Sequence, residues 1–178
     1  MTGPVERLAI PTAVVVDAAA GDRAAFTELV SAYHADMLRL AMVVSCDADL
    51  ANDAVQAAWQ HAWRKLRQLR DPARVRPWLL SIAANEARQA LRHRAHFVVM
   101  PEQMSEDRSE SVADLIDVVE LGRALATLKP DERRLIALRY VSGFSSPEIA
   151  PMLGLSPEGV RSRLKRILNR LRKELSDV

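Results

Sequence analysis

Apolar positions recur at helical spacing along the chain, and no segment sustains the period-two alternation of a half-buried strand. Asp22 is placed to cap a helix whose apolar stripe runs Phe26, Leu29, Val30, Tyr33, Met37, Leu40, Ala41 and Val44. A second helix is expected from about Asp49, with Ala51, Ala54, Val55, Ala58, Ala62, Leu66 and Leu69 on one side. Arg70-Asp71-Pro72 ends it, because proline disfavours helix in the residue before it. A third is expected to begin at Pro77, a good first helical residue, and to bury Leu79, Ile82, Ala83, Ala87, Ala90 and Leu91. With a short helix around Asp17, these make one bundle.

The pattern breaks from Val98 to Ser111, a polar, acidic and aperiodic stretch that reads as a linker and domain boundary. Helical signals resume from Val112 to Leu128, and another helix is expected over about Asp131 to Val141. The expected fold class is all-α. Two small helical domains, residues 12–97 and 112–178, are joined by a flexible acidic linker, 98–111, which leaves their separation in solution unfixed.

The carboxyl end carries the sharpest local signal. Ser145 and Glu148 stand at capping-box spacing, with Pro147 at the helix start. Leu153-Gly154 ends that short helix, glycine supplying the left-handed backbone of a tight turn. Leu155 can fill the space between helices, and Ser156-Pro157-Glu158 starts a longer helix running to about Leu175. Its apolar stripe is Val160, Leu164, Ile167, Leu168, Leu171 and Leu175. Ser162, Lys165, Arg166, Asn169, Arg172 and Lys173 lie opposite, with Arg161 and Arg163 on the flanks. Short helix, glycine turn and basic helix form a helix-turn-helix, whose second helix can enter a major groove.

Charge sharpens this picture. The formal charge is only +2, yet residues 1–58 carry net −5, 59–96 net +7, 97–128 net −5 and 129–178 net +5. Two basic surfaces separated by an acidic connector suit a polyanionic partner, of which nucleic acid is the commonest. The second basic surface is the outer side of the helix from Pro77, where Asn85, Arg88, Gln89, Arg92 and His96 align, with Arg74 and Arg76 in the preceding loop. Trp78 is expected in the core.

Other classes drop out. The longest run without Asp, Glu, Lys or Arg is Ala54 to Trp63, too short for a membrane span. The amino terminus lacks a signal-peptide layout, so a cytoplasmic protein is expected. Lone Cys46 supports neither an internal disulfide nor a Cys-based zinc site. His34, His61, His93 and His96 fall on separate helices or outer faces, and no phosphate loop or nucleophile motif appears. Neither catalysis, metal nor cofactor is expected.

Several segments resemble a known family. Asp53-Ala54-Val55-Gln56, Ala62-Trp63-Arg64-Lys65-Leu66 and Arg76-Pro77-Trp78-Leu79-Leu80-Ser81-Ile82-Ala83-Ala84-Asn85-Glu86-Ala87-Arg88 resemble the second conserved region of bacterial sigma factors. Leu128 through Arg134, Leu138-Arg139-Tyr140 and Val160 through Leu164 resemble their fourth region. Two such regions without the large intervening one are similar to the extracytoplasmic-function (ECF) group. The resemblance implies a promoter-specificity subunit of RNA polymerase. Asp53, Gln56, Gln60 and Arg64 would dock on the clamp helices of the polymerase largest subunit. The loop from Leu69 to Arg76 would capture an extruded base of the −10 element, with Asn85 on a neighbouring base. Arg74, Arg76, Arg88 and Arg92 would line this DNA-binding side. Arg161, Ser162, Lys165 and Arg166 would meet the −35 element. An anti-sigma factor is a further partner that such proteins commonly have. Two positions depart from the pattern: Ala57 replaces the usual glutamate after Asp-x-x-Gln, and Gly159 replaces the common threonine before the valine. The residues alone also fit a stand-alone helix-turn-helix regulator with an amino-terminal sensing or dimerisation domain.

Overall fold

The computed structural model describes residues 10–97 and 122–176. All the secondary structure among them is helical. The N-terminal half holds α1 (Thr12–Ala20), α2 (Arg23–Ser45), α3 (Ala48–Lys65) and α4 (Val75–Phe97). In the C-terminal half, α5 is described over residues 122–127, followed by α6 (Pro130–Ile136), α7 (Ser146–Leu153) and α8 (Pro157–Ser176). The expected linker 98–111, and the start of the helix expected from Val112, lie outside the described residues. No helix among those described is long and apolar enough to cross a membrane.

Caps define the first bundle. The Asp22 carboxylate accepts from the Ala24 and Ala25 amides, and Asp47 accepts from Leu50. Asp47 also pairs with Arg94, tying the start of α3 to α4. The predicted stripe of α2 is inward: Leu29, Met37, Leu40, Ala41 and Val44 are fully buried. Where α3 and α4 meet it, the chain offers alanine. Ala51, Ala58, Ala62, Ala83, Ala84 and Ala87 are all fully buried, and small side chains of this kind permit close helix packing.

Three boundaries differ from the sequence expectation. α3 begins at Ala48 and leaves α-helical geometry at Lys65, continuing as a 3₁₀ turn over Leu66–Gln68. α4 begins at Val75, because Asp71 caps a 3₁₀ turn over Pro72–Arg74 that runs straight into it. Pro77 therefore sits inside the first turn, where an amide has no helical partner to lose. Past Ile136 the expected helix widens to a π turn, Ala137–Val141. Trp78 is half-buried, packed against the edge of the core.

The two halves are in contact in this structure. α6 packs on α2 and α4, and the π turn packs on α2. Leu135, Ala137, Leu138 and Phe144 join the same hydrophobic core as Leu29, Met37 and Leu79. A cleft of about 1270 Å³ remains between the halves, lined by Tyr33, Arg74 and Trp78 on one side and Tyr140, Phe144 and Met152 on the other.

Candidate nucleic-acid interface

The helix-turn-helix is built as its residues dictate. Glu148 accepts from the Ser145 amide at 2.8 Å and from the Ser145 hydroxyl at 2.5 Å. Those two hydrogen bonds hold the Glu148 carboxylate below its ordinary pKa. Gly154 adopts φ +64, and the Leu155 amide closes the turn on the Ala150 carbonyl at 2.9 Å. On α8, Val160, Leu164, Ile167 and Leu171 are buried, while Arg161, Ser162, Lys165 and Arg166 are exposed on the side away from them. Arg161 pairs with Glu158 one turn earlier. Arg139, Arg161, Lys165 and Arg172 border a shallow groove beside α7.

Gly159 has a local reason to be small. Its amide donates to the Ser156 hydroxyl at 3.0 Å, and an added Cβ would come within 3.2 Å of that oxygen. A larger residue would press on the Ser156 cap, which would have to shift by a few tenths of an ångström.

The first half presents two polar faces. Asp53, Gln56, Gln60 and Arg64 are all exposed along the outer side of α3. Beside them Trp63 remains 41% exposed, its ring edge-on to Phe26 at 4.9 Å. The other face comprises the 69–76 loop and α4. Arg74 lies 3.9 Å from Asp71 and points to solvent. The Asn85 side-chain carbonyl accepts from Arg88 at 3.1 Å, so the two expected DNA contacts touch each other.

This α4 face is not open. Arg76 donates to the Ser142 carbonyl at 3.2 Å, lies 3.5 Å from Asp36, and stacks 5.3 Å from the Phe144 ring centroid. Arg88 and Arg92 both face Asp131, at 3.5 and 3.9 Å. Arg134 stands nearby, its pKa lowered by burial and by repulsion from Arg88. The structure thus brings Asn85, Arg88 and Arg92 together, sets Arg76 apart at the start of α4 against Asp36 and Phe144, and places the α8 cations on a separate surface. Sequence reasoning missed Asp36, Asp131, Ser142 and Phe144 as partners of this face. Asp131 is visible in the sequence only as a helix-start acid after Pro130, and no local pattern marks a contact made across such sequence distance. Chemically, both basic surfaces offer guanidinium forks suited to phosphates and base edges.

Comparison with known proteins fits both surfaces to one family. Residues 29–97 match Sigma-70 region 2, and residues 119–171 match Sigma-70, region 4. The chain is 35% identical over 168 residues to the probable RNA polymerase sigma factor RfaY of Xanthomonas campestris pv. campestris, covering 89% of this chain but 42% of that longer protein. It is 32% identical over 175 residues to the ECF RNA polymerase sigma factor SigL of Mycobacterium tuberculosis, covering 92% of this chain and 96% of SigL. Among solved structures, CnrH in complex with the cytosolic domain of CnrY superposes with a TM-score of 0.72 at 27% identity, over 93% of this chain and 97% of that one. RpoE in complex with the anti-sigma factor NepR from Bartonella quintana gives 0.71 at 26%, over 85% and 96%. The chain belongs to the sigma-70 family of RNA polymerase sigma factors, within its ECF group.

Proposed function

We infer that the chain is a cytoplasmic promoter-specificity subunit that brings core RNA polymerase to promoters and performs no catalysis itself. The observation that carries this reading is the pairing of two family regions, each presenting a polar or basic face suited to its role. In this reading residues 12–97 form the region 2 domain, 98–111 the linker and 112–178 the region 4 domain. Asp53, Gln56, Gln60 and Arg64 dock on the clamp helices of the polymerase largest subunit. Arg74, Arg76, Asn85, Arg88 and Arg92 engage the −10 element, and Arg161, Ser162, Lys165 and Arg166 the −35 element. The structural relatives CnrH and RpoE are seen with CnrY and an anti-sigma factor. An anti-sigma partner for this chain is proposed on that likeness.

A stand-alone regulator leaves the exposed α3 row and the region 2 match without a role. Sequencing of transcripts made by core polymerase with and without the chain tests the choice. New, discrete start sites only in its presence are expected. Selective operator binding by the free chain, with no change in transcript starts, would establish the regulator instead.

A further inference from the structure

The arginines of α4 already hold an anion. Arg88 Nη1 lies 3.5 Å from one oxygen of Asp131, and Arg92 Nη2 lies 3.9 Å from the other. One carboxylate is thereby shared between two guanidinium groups a single helical turn apart. The attraction at these distances is one of charge, and paired arginines attract phosphate oxygens likewise. The carboxylate comes from α6, in the other half of the chain, and 65% of its side chain remains exposed.

The rest of this seam is rich in cations. Arg134 is half-buried within reach of the Arg88 charge, and Arg88 is only 18% exposed. The Nε atoms of Arg88 and Arg134 are buried without a hydrogen-bond partner among the described residues. Crowded guanidinium groups with unmet donors weaken a closed interface, because each keeps part of its desolvation cost. Asp131 offsets that crowding where Arg88 and Arg92 meet it.

We propose that Asp131 is an internal stand-in for a nucleic-acid backbone phosphate. It fills an Arg88–Arg92 phosphate site while the chain is closed, and DNA must displace it to bind there. The proposal rests on the reading of α4 as a DNA-facing helix. The same closure sets the Ser142 carbonyl and Phe144 ring on Arg76, and Tyr140 and Met152 across the cleft from Arg74. Contact with the C-terminal half and contact with DNA compete for the same side chains. Since a largely exposed ion pair is weak, this latch shifts affinity by a few-fold and opens when docking elsewhere draws the halves apart.

The test uses the full chain, a short fluorescently labelled single-stranded DNA, and a salt series. Asp131→Asn keeps the shape of the side chain and removes its charge. It should bind about two- to fivefold tighter. The slope of log K against log salt should steepen by about 0.7 for each additional phosphate that the arginines neutralise. Asp49→Asn, which removes an exposed carboxylate on α3, should leave the slope unchanged. In an Arg88→Gln/Arg92→Gln background, Asp131→Asn should alter neither affinity nor slope. Tighter binding without a steeper slope would reduce Asp131 to a diffuse field effect and overturn the phosphate site. If Asp131→Asn does nothing while Arg88→Gln/Arg92→Gln weakens binding, the latch is wrong and α4 still faces DNA. If Arg88→Gln/Arg92→Gln has no effect on binding, the DNA-facing reading fails and takes the proposal with it.

Discussion

The guanidinium of Arg76 lies over the Phe144 ring in the other half of the molecule, 5.3 Å from its centroid. The same group faces the buried carboxylate of Asp36 at 3.5 Å and donates to the Ser142 carbonyl. One side chain from the start of α4 therefore joins α2 to the loop before α7.

Loss of that side chain should be felt as stability. Arg76→Ala removes a cation–π contact and leaves Asp36 with less compensation, at an expected cost of about 1–3 kcal/mol. Arg76→Lys keeps the charge without the planar fork and should fall between the two. Urea denaturation reads this as a lower midpoint at unchanged slope. An unshifted midpoint for Arg76→Ala would mean that the seam adds nothing to the folded state.

On α8 the effects should divide by position. Arg161→Ala, Lys165→Ala or Arg166→Ala should cost about 1–3 kcal/mol at a base-reading contact and relax specificity there. Arg172→Ala or Lys173→Ala should weaken binding to all sequences alike. Titration of the polymerase-bound chain on promoter and scrambled duplexes separates these outcomes. Unchanged selectivity in all three members of the first group would remove α8 from −35 reading.

The two faces of the N-terminal half should fail differently. Asn85→Ala is expected to reduce promoter melting, read by permanganate reactivity of thymines, while core polymerase pull-down persists. Asp53→Ala and Gln56→Ala are expected to lose the pull-down. Failure of Asn85→Ala to capture polymerase would contradict separate roles for α3 and α4.

Acid should loosen the C-terminal half. Glu148 is held below the ordinary value of 4.5 by the hydrogen bonds from Ser145. Burial alone would raise Glu132, but hydrogen bonds from Arg170 and the Lys129 amide hold it below 4.5 as well. With both values lowered on folding, their stabilisation is complete above about pH 4.5 and is lost as pH falls through the folded values. Glu132→Gln and Glu148→Gln should flatten that part of the stability curve. An identical acid profile in the double variant would rule these two carboxylates out as its cause.

Gly154 tests the turn itself. A Cβ there meets nothing within 4 Å, so Gly154→Ala changes only the energy of a backbone at φ +64. The expected loss is about 1–2 kcal/mol, and Gly154→Asn should lose less. Equal melting temperatures for Gly154→Ala and the parent would show the turn to be unstrained.

The elements legible in the sequence are those whose signals are local. The α2 stripe, the Ser145–Glu148 box and the left-handed Gly154 each depend on residues a few positions apart, and each stands as read. Boundaries move where a neighbouring turn extends or shortens a helix. The Asp71 cap carries α4 back to Val75, and the 3₁₀ turn at Leu66 ends α3 early. Composition marks Arg76, Arg88 and Arg92 as one basic side but does not show that Ser142, Phe144 and Asp131 cover it. That contact depends on how two hydrophobic surfaces dock, and no periodicity encodes it.

The alanines that α3 and α4 bury in the core have a mechanical consequence. Helices separated by long side chains can slide or roll as those chains change rotamer, but methyl groups leave no such play. The exposed row on α3 and the cationic row on α4 are therefore fixed in bearing and distance, like two jaws cut from one block. Any tilt imposed on Asp53 and Gln56 by a docked partner is delivered undamped to Asn85 and Arg88. A substitution such as Ala58→Leu, buried on the opposite side of α3 from the exposed row, would misalign the jaws without altering either edge.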